Sequence, residues 1–564
     1  MMGGGDPEAA AARRLVTAHL APTRRMRDGC RPIGNVGGHR QCSGTRTTRR
    51  IDVTLAMRPL TTIPFTTGDA PVTERTLPET RPAAAADKPS TALDPRSRLV
   101  ISLLLVSAFV VILNETIMSV ALPDLMRDFG VEAHVGQWLS TAFMLTMAVV
   151  IPITGYLIQR LHTRTLFAAA MTLFSIGTLS AALAPTFEVL LAARVVQAGG
   201  TAIMMPLLMT TVMTLVPPAI RGRMMGNISI VISVAPAVGP TISGVILNFL
   251  SWRWMFWIVL PIAVGALLLG LRKVENVTEP RKIPIDSLSV VLSVFGFGGL
   301  VYGLSSLGEG GEAIVAPWVP FVVAGVGLAA FIVRQLLLQK TDRALLDLRT
   351  FSSGNFTVVI VMMAVSMSAL FGTLILLPLY TQNVLGLTPL ETGLLLLPGG
   401  LLMGLLAPFV GRGYDRFGPR VLLVPGSIIV AGALWGYTTL DENSVSWFIL
   451  ALHVVLSLGL ALVFTPLFTA GLGSVRPALY SHGSAIIGTV QQLGCAAGTA
   501  LFVTVLSVQS AALAREGVDE VAASAGGIHA AFVWGASIAT AAIVAAFFVK
   551  RPAETDGPRP VAAH

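Results

Sequence analysis

A long apolar stretch that begins at residue 99 constrains this chain more than any other feature. Residues 99–123 read LVISLLLVSAFVVILNETIMSVALP. A helix of about 20 apolar residues is long enough to cross a bilayer. Thirteen similar segments follow it, and open strands cannot satisfy their backbone hydrogen bonds in lipid. We therefore predict an all-α membrane protein with 14 transmembrane helices.

Composition agrees with a membrane protein. Hydrophobic residues make up 54% of the chain and charged residues only 12%, whereas soluble domains carry about 25% charged residues. The three cysteines are too few and too scattered for a disulfide framework or a metal cluster. The predicted helices, numbered in chain order, cover residues 99–122, 136–158, 165–184, 188–215, 224–249, 252–271, 287–307, 316–337, 357–382, 388–411, 419–439, 445–469, 482–506 and 527–549.

Most of the net charge of +9 lies in the N-terminal segment. Residues 1–98 hold 16 Lys and Arg against 9 Asp and Glu, and they lack helical periodicity. We interpret them as a disordered basic tail. Three interpretations of this tail are open: a basic arm that binds anionic lipid, a tail without a role, or an upstream extension of a chain that starts at Met57. Because the remaining chain is nearly neutral, no nucleic-acid partner is expected.

The predicted loops differ in charge between the two sides of the membrane. If the N terminus lies inside, the inner loops carry 16 Lys and Arg and the outer loops carry three. Inner loops of membrane proteins are rich in these residues. We therefore predict a multi-pass protein of the cell membrane with both termini in the cytoplasm.

An internal repeat divides the chain. A shift of 256 residues superimposes helices 2–3 on helices 10–11, and a shift of 260 residues matches helix 4 with helix 12. These matches predict two six-helix bundles, 99–271 and 357–549, related by a pseudo-twofold repeat. Helices 7–8 are inserted between them in residues 272–356, and residues 550–564 form a cytoplasmic tail. Repeated halves around a central cavity are the usual build of a secondary transporter.

One acid and one base lie well inside predicted helices, Glu115 in helix 1 and Arg194 in helix 4. Either charge alone is costly in a membrane, so we expect the two to pair. The hypothesis is a proton-coupling site, in which Arg194 stabilises ionised Glu115 until substrate or a conformational change separates them. A static structural pair is the alternative.

Four motifs carry a resemblance to a known family. They are LNETIMSVALP at 113–123, GYLIQRLHTR at 155–164 with a second copy GRGYDRFGPR at 411–420, RVVQAGG at 194–200, and APAVGPTISG at 235–244. Together they resemble the major facilitator superfamily, specifically its fourteen-helix drug:proton antiporter branch and its lincomycin-resistance-type exporters. The resemblance covers residues 99–549 and implies the major facilitator fold, two six-helix bundles plus two inserted helices.

The resemblance also implies roles for individual residues. The paired motifs imply a conformational gate made of Gly155, Arg160, Arg164, Gly411, Asp415, Arg416 and Arg420. The first copy has Gln159 where the family keeps an Asp. An ordinary positive-inside cluster is the alternative for the gate. The helix 5 motif, which separates exporters by antiport from importers, is represented by Gly239, Pro240 and Gly244, and generic helix packing is its alternative.

Polar and aromatic residues within the helices suit a broad drug pocket. The candidate cavity residues are Asn114, Thr116, Trp138, Gln197, Phe371, His453, Gln491 and Gln492. For each of them, ordinary packing inside a helix bundle is the alternative.

The expected function is proton-coupled multidrug efflux by alternating access, with amphiphilic, cationic or antibiotic compounds as substrates. The sequence has no spacing typical of a catalytic set, a metal site or a nucleotide-binding loop, so we expect neither an enzyme nor a primary pump. We expect no cofactor beyond the proton gradient, small amphiphilic substrates and the lipid bilayer as partners, and a monomer. The alternatives are a proton-coupled symporter or importer on the same scaffold and a non-transporting membrane sensor.

Overall fold

The computed structural model describes residues 93–276, 280–281, 284–308 and 316–552. Most of the predicted N-terminal tail, 1–98, and most of the predicted C-terminal tail, 550–564, therefore lie outside the described residues. Within these residues the regular secondary structure is helical, and 14 helices are long and apolar enough to cross a membrane. The predicted all-α fold with 14 spans is confirmed.

The helices are numbered α1–α14 in chain order. Their bounds are Pro95–Phe129, Ala133–Arg160, Thr163–Ala182, Phe187–Leu215, Arg221–Phe249, Arg253–Lys273, 287–308, Trp318–Leu338, Gly354–Asn383, Pro389–Phe417, Arg420–Tyr437, Ser446–Gly473, Tyr480–Arg515 and Glu520–Ala546. The seventh, α7, joins Ser287–Ser293, a π-helical turn at Val294–Gly298, and Gly299–Gly308.

Several helices run past the apolar segments that predict them. α1 begins at Pro95, inside the predicted tail, and ends at Gly130, whose left-handed φ of 64° lets its N–H bond to the Met126 carbonyl. α10 and α13 extend to Phe417 and Arg515. The predicted bounds are too short here because hydropathy marks only the bilayer core. A helix continues beyond it until a residue such as glycine ends it.

The two bundles repeat the same helix packing. In the first bundle α3 packs on α4 and α6, α4 packs on α1 and α2, and α1 packs on α5 and α6. The second bundle contains the equivalent pairs: α11 packs on α12 and α14, α12 packs on α9 and α10, and α9 packs on α13 and α14. This correspondence agrees with the repeat seen in the sequence and confirms the predicted fold class.

The bundles meet along α5 with α10 and, at the equivalent place, along α2 with α13. Glycines bring the backbones of α5 and α10 together. A Cβ on Gly411 would lie 2.3 Å from the carbonyl oxygen of Gly222, and a Cβ on Gly226 would lie 2.5 Å from that of Ala407. No side chain fits at these two glycines without moving one bundle away from the other.

Hydrogen bonds between the bundles gather near one end of the helices. The side-chain amide of Gln159 donates to the Ala478 carbonyl at 3.3 Å, and Arg221 donates to the Tyr480 hydroxyl at 3.3 Å. Both contacts lie where the chain turns between neighbouring helices. We call this the closed end, and its loops comprise residues 161–162, 216–220, 418–419 and 474–479.

The inserted helices α7 and α8 lie at the seam between the bundles, because α7 contacts both α2 and α13. Asp286 caps the start of α7 and accepts hydrogen bonds of 2.9 and 2.7 Å from the guanidinium of Arg334 on α8. These hydrogen bonds hold the pKa of Asp286 well below its usual range. The ionised pair therefore ties the two inserted helices together at the closed end.

The close approach at Gly411 gives a prediction. Gly411→Ala should destabilise the protein by roughly 1–3 kcal/mol, because the new methyl group meets backbone that cannot step aside. Gly413→Ala is the matched control: it lies on the same helix, and its Cβ would meet its nearest atom at 3.6 Å. That variant should be neutral or slightly stabilising, since alanine favours helix. Thermal unfolding of the purified variants measures this, and equal melting temperatures would contradict the account.

Candidate functional site

Arg194 on α4 holds its charge deep in the first bundle, where its side chain is 1% exposed. It donates hydrogen bonds to the side-chain oxygens of Asn114 on α1, at 3.3 Å, and of Gln197, at 2.5 Å. Its guanidinium carbon lies 4.1 Å from the ring centre of Phe143 on α2, which is a cation–π contact. Its Nε has no hydrogen-bond partner among the residues that the structure describes. Neutral groups on three helices therefore hold this cation.

Two further hydrogen bonds hold Gln197, the residue whose amide oxygen accepts from Arg194. The amide nitrogen of Gln197 donates to the hydroxyl of Thr178 on α3 at 2.8 Å, and that hydroxyl donates to the Phe174 carbonyl at 2.7 Å. The amide oxygen of Gln197 is thereby turned towards Arg194. These hydrogen bonds restrict the rotation of the Gln197 side chain, so they position the acceptor that faces the guanidinium.

Glu115 on α1 is partly buried and acts electrostatically on two groups, Arg194 of α4 and Cys495 of α13. Because α13 belongs to the second bundle, the carboxyl group lies where the two bundles face each other. The interaction of this group with Arg194 is attractive when the carboxyl group is ionised.

Glu115 and Arg194 lie close enough to interact, as expected, but Glu115 is not the hydrogen-bond partner of Arg194. Arg194 bonds to Asn114, the residue before Glu115. Successive side chains on a helix point about 100° apart, so one residue faces the guanidinium while the next turns towards the second bundle. Glu115 and Arg194 therefore interact at a distance rather than as a hydrogen-bonded pair.

Three of the candidate cavity residues are enclosed by protein. Asn114, Gln197 and His453 are at most 4% exposed in this conformation, and their place in a substrate cavity stays a prediction. Asn114 and Gln197 face Arg194, and the ring of His453 lies against Gly399 of α10. The polar groups of Asn114 and Gln197 are therefore used within the first bundle.

Two further candidates pack against neighbouring helices. Trp138 stacks on Tyr302 of α7 with ring centres 6.0 Å apart, so it joins the first bundle to the insert. Thr116 donates to the Leu113 carbonyl at 3.0 Å and lies against Gly239 of α5. The remaining candidates are partly buried and stay predictions: Phe371, Gln491 and Gln492.

The predicted antiporter motif of α5 packs on α1 through small residues. A Cβ on Gly239 would lie 2.3 Å from the Thr116 hydroxyl, and the Ser243 hydroxyl donates to the backbone of α1 at 3.1 Å. These residues lie four apart and share one helix face. Gly244 lies off this face, and a Cβ on it would meet no atom of the described residues within 4 Å. Close packing therefore explains Gly239 but leaves Gly244 without a steric reason.

Asp415, in the second copy of the gate motif, joins the two bundles. Its carboxylate accepts hydrogen bonds from the backbone N–H groups of Gly222, at 2.8 Å, and of Arg223, at 2.9 Å, in the first turn of α5. Unpaired N–H groups and the helix dipole both favour an anion there. Gly411, one turn earlier on α10, permits the approach. The contact is a charged tie across the closed end.

The first copy of the motif makes a weaker, neutral contact. Gln159 stands at the place equivalent to Asp415, and its amide donates to the Ala478 carbonyl just before α13. A neutral amide brings no charge to the helix start. Gly155 still permits close packing, because its Cβ would lie 3.1 Å from the Ser481 carbonyl oxygen. At the closed end, the contact between α2 and α13 is therefore neutral, whereas the contact between α10 and α5 is charged.

The four predicted gate arginines are exposed at the closed end. Arg160 donates to the Tyr156 hydroxyl within the first bundle, and Arg420 donates to the Val549 carbonyl within the second at 3.0 Å. The other two are Arg164 and Arg416. These arginines give the closed end positive charge, whereas Asp415 makes the charged contact between bundles.

Sequence reasoning missed two parts of this site. Phe143 beneath the guanidinium and Thr178 beneath Gln197 lie on other helices, and a single sequence carries no signal that brings them to Arg194. The contact between Arg194 and Gln197 has such a signal, because residues three apart on a helix are neighbours.

Comparison with known proteins gives consistent relatives. Residues 104–499 match the Major Facilitator Superfamily. The chain is 41% identical to a lincomycin resistance protein of Listeria monocytogenes, over 80% of this chain and 96% of that protein. It is 29% identical to a multidrug resistance protein B homolog of Mycobacterium tuberculosis, over 78% of this chain and 82% of that protein.

A solved structure has the same fold. The human organic anion transporter MFSD10 superimposes with a TM-score of 0.60 at 16% identity, over 80% of this chain and all of that one.

The tie made by Asp415 gives a second prediction. Asp415→Asn should weaken the closed end by about 1–2 kcal/mol, because the charge facing the helix dipole is lost, and should raise the population open at that end by roughly 5- to 30-fold. Distances between spin labels, one in each bundle at the closed end, measure this population. Gln159→Asp should act in the opposite direction.

Glu442→Gln is the control for this prediction, since it removes an exposed acid in the loop between α11 and α12, at the other end. If Asp415→Asn left the distance distribution as unchanged as this control does, the carboxylate would not hold the bundles together.

Proposed function

We propose that the protein is a proton-coupled multidrug efflux antiporter, and the premise of this proposal is that the chain belongs to the Major Facilitator Superfamily. It is a multi-pass membrane transporter rather than an enzyme. The proposal adds three things to that premise: the coupling ion, the direction of transport and the class of substrate.

The position of Glu115 carries the proposal. The carboxyl group lies between the bundles, within electrostatic range of Arg194 and of α13. A carboxylate inside a membrane protein is costly and is usually kept for a task. Protonation would cancel its interaction with Arg194, and deprotonation would restore it, so a proton changes the charge that one bundle presents to the other.

The exchange cycle follows from this charge. A cationic or amphiphilic compound that enters between the bundles favours ionised Glu115, so its binding expels the proton. Its release on the opposite side lets a proton return. When a neutral compound is exchanged for one proton, a membrane potential of 100 mV supplies about 2.3 kcal/mol, enough to sustain roughly a 50-fold concentration ratio. When a monovalent cation is exchanged for one proton, no net charge moves, and the pH gradient alone drives efflux.

The proposed orientation places the closed end in the cytoplasm, together with both termini, because the connections and adjoining helix ends on that side carry 16 Lys and Arg, against three on the other side. The conformation would then be the one that faces outward. In the cycle, Asp415 would leave the start of α5 when the protein opens inward. We further propose a monomer that needs no cofactor beyond the ion gradient.

The substrate class is proposed from the relatives. Two of them carry names of lincomycin or multidrug resistance. Three further residues predicted for the cavity combine an aromatic ring with amides, which suits varied amphiphilic compounds: Phe371, Gln491 and Gln492. Ethidium is therefore a suitable first probe, and a panel of antibiotics in a pump-deficient host would define the range.

The test is ethidium accumulation in everted membrane vesicles with and without a proton gradient. The wild-type protein should accumulate ethidium only with the gradient, whereas Glu115→Gln should lose this accumulation because its side chain cannot ionise. Asp124→Asn is the matched control, since Asp124 lies on the same helix but pairs with Arg127 at the surface. Full gradient-driven accumulation by Glu115→Gln would refute the proposed coupling, and wild-type accumulation that ignores the gradient would refute antiport.

A further inference from the structure

A cavity lies at the closed end, away from Glu115 and Arg194. Its volume is about 580 Å³. Its walls come from the end of α2, the segment between α6 and α7, the segment at 342–353 between α8 and α9, and the start of α13 with the loop before it. We call it the junction cavity, and the lining residues that matter here are Gln159, Arg281, Arg349, Arg476 and His482.

The lining of the junction cavity contains three arginines and two aspartates, so positive charge is in excess. Arg349 bonds to both acids of the lining, Asp342 at 2.5 Å and Asp347 at 2.5 to 3.0 Å, and these bonds raise its pKa above the usual range. Arg281 and Arg476 are exposed, and their guanidinium groups have no hydrogen bond or ion pair to any described residue. One arginine is therefore fully engaged, and two are free.

The inner wall of the junction cavity contains an unsatisfied buried group. His482 is 4% exposed, and its Nδ1 has no hydrogen-bond partner in the described part of the chain. His482 also lines the junction cavity, and a Cβ on Gly155 of α2 would lie 3.2 Å from this Nδ1. Native proteins rarely leave buried polar atoms unbonded, and water or a ligand commonly satisfies such atoms.

We propose that the junction cavity binds a phosphate-type anion, either a free phosphate compound or the headgroup of an anionic lipid. Guanidinium groups bind phosphate oxygens through paired hydrogen bonds, and two free ones in the same cavity supply the positive charge that such a ligand requires. The volume lies within the range of small-molecule sites, so there is room for a phosphate and the group esterified to it.

The bound anion would act on the conformation of the protein. Gln159 belongs to the first bundle, whereas Arg476 and His482 belong to the second. The cavity therefore exists as a unit only while the bundles touch, as they do through the hydrogen bond from Gln159 to Ala478. A ligand that binds only this arrangement stabilises it, and opening of that end must release the ligand.

The inference stands apart from the proposed transport activity, since anion binding needs neither drug nor proton gradient. Plain positive-inside charge would also place arginines here. That alternative predicts no saturable binding, and it predicts no difference between arginines that line the cavity and arginines beside it.

The test uses the purified full chain in neutral detergent. Thermal unfolding is followed against inorganic phosphate, with chloride at equal ionic strength as reference, and against a soluble short-chain phosphatidylglycerol, with the matching phosphatidylcholine as reference. Saturable stabilisation by phosphate supports a free phosphate compound, and saturable stabilisation by phosphatidylglycerol alone supports a lipid headgroup.

Two variants of lining residues and one control variant test whether the anion binds in the junction cavity. Arg476→Gln and Arg281→Gln should each raise the half-saturating concentration about tenfold or more, the size typical of a lost charged hydrogen bond. Arg343→Gln, an exposed arginine outside the lining, should change it less than twofold. Two results would overturn the inference: no saturable stabilisation by either ligand, or an equal loss in Arg343→Gln. If one lining variant fails to fold, the other provides the same comparison.

Discussion

The charge of Arg194 has to be accommodated inside the membrane, and the organisation of the first bundle follows from this requirement. A buried cation without partners would cost several kcal/mol. Asn114, Gln197 and the ring of Phe143 surround it with neutral acceptors and an aromatic face. Because neutral groups hold the guanidinium, protonation of Glu115 would change the electrostatic field between the bundles without breaking any hydrogen bond that anchors Arg194. The first bundle can then stay rigid while the charge at its surface changes.

At the closed end, two structurally equivalent contacts between the bundles differ in their chemistry. The two halves contain equivalent helix pairs, and both cross-bundle contacts use a glycine to bring the helices close. Their chemistry differs at one position, where the second half has Asp415 and the first has Gln159. The carboxylate meets the start of α5 with charge, and the amide meets the start of α13 with a single neutral hydrogen bond. The α2–α13 contact is therefore the easier one to separate, and it is also the one beside the junction cavity.

Much of this architecture was predictable because membranes impose strong rules on sequence. The apolar segments predicted all 14 spans, and the repeat predicted the equivalent bundles. The site was less predictable because it depends on directions of side chains. The sequence contains both Asn114 and Glu115, but only helix geometry shows which of them faces Arg194.

Other parts of the molecule depend on contacts between distant segments. The stacking of Trp138 on Tyr302 of α7 is one of them, and it joins residues 164 positions apart in the sequence. The segment at 342–353 carries no motif, and its burial against α13 and α8 appears only in three dimensions: Leu345 is 1% exposed and bonds through its N–H to Gln335. A single sequence gives no means of pairing such residues.

The central claim is that a compound entering between the bundles displaces a proton from Glu115. Infrared difference spectroscopy of the purified protein, recorded on addition of ethidium, tests it most directly. The account predicts loss of a protonated carboxyl band and gain of a carboxylate band, and neither change in a protein with glutamine at this position. A spectrum without any carboxyl change, or one that persists when Glu115 is absent, would contradict it.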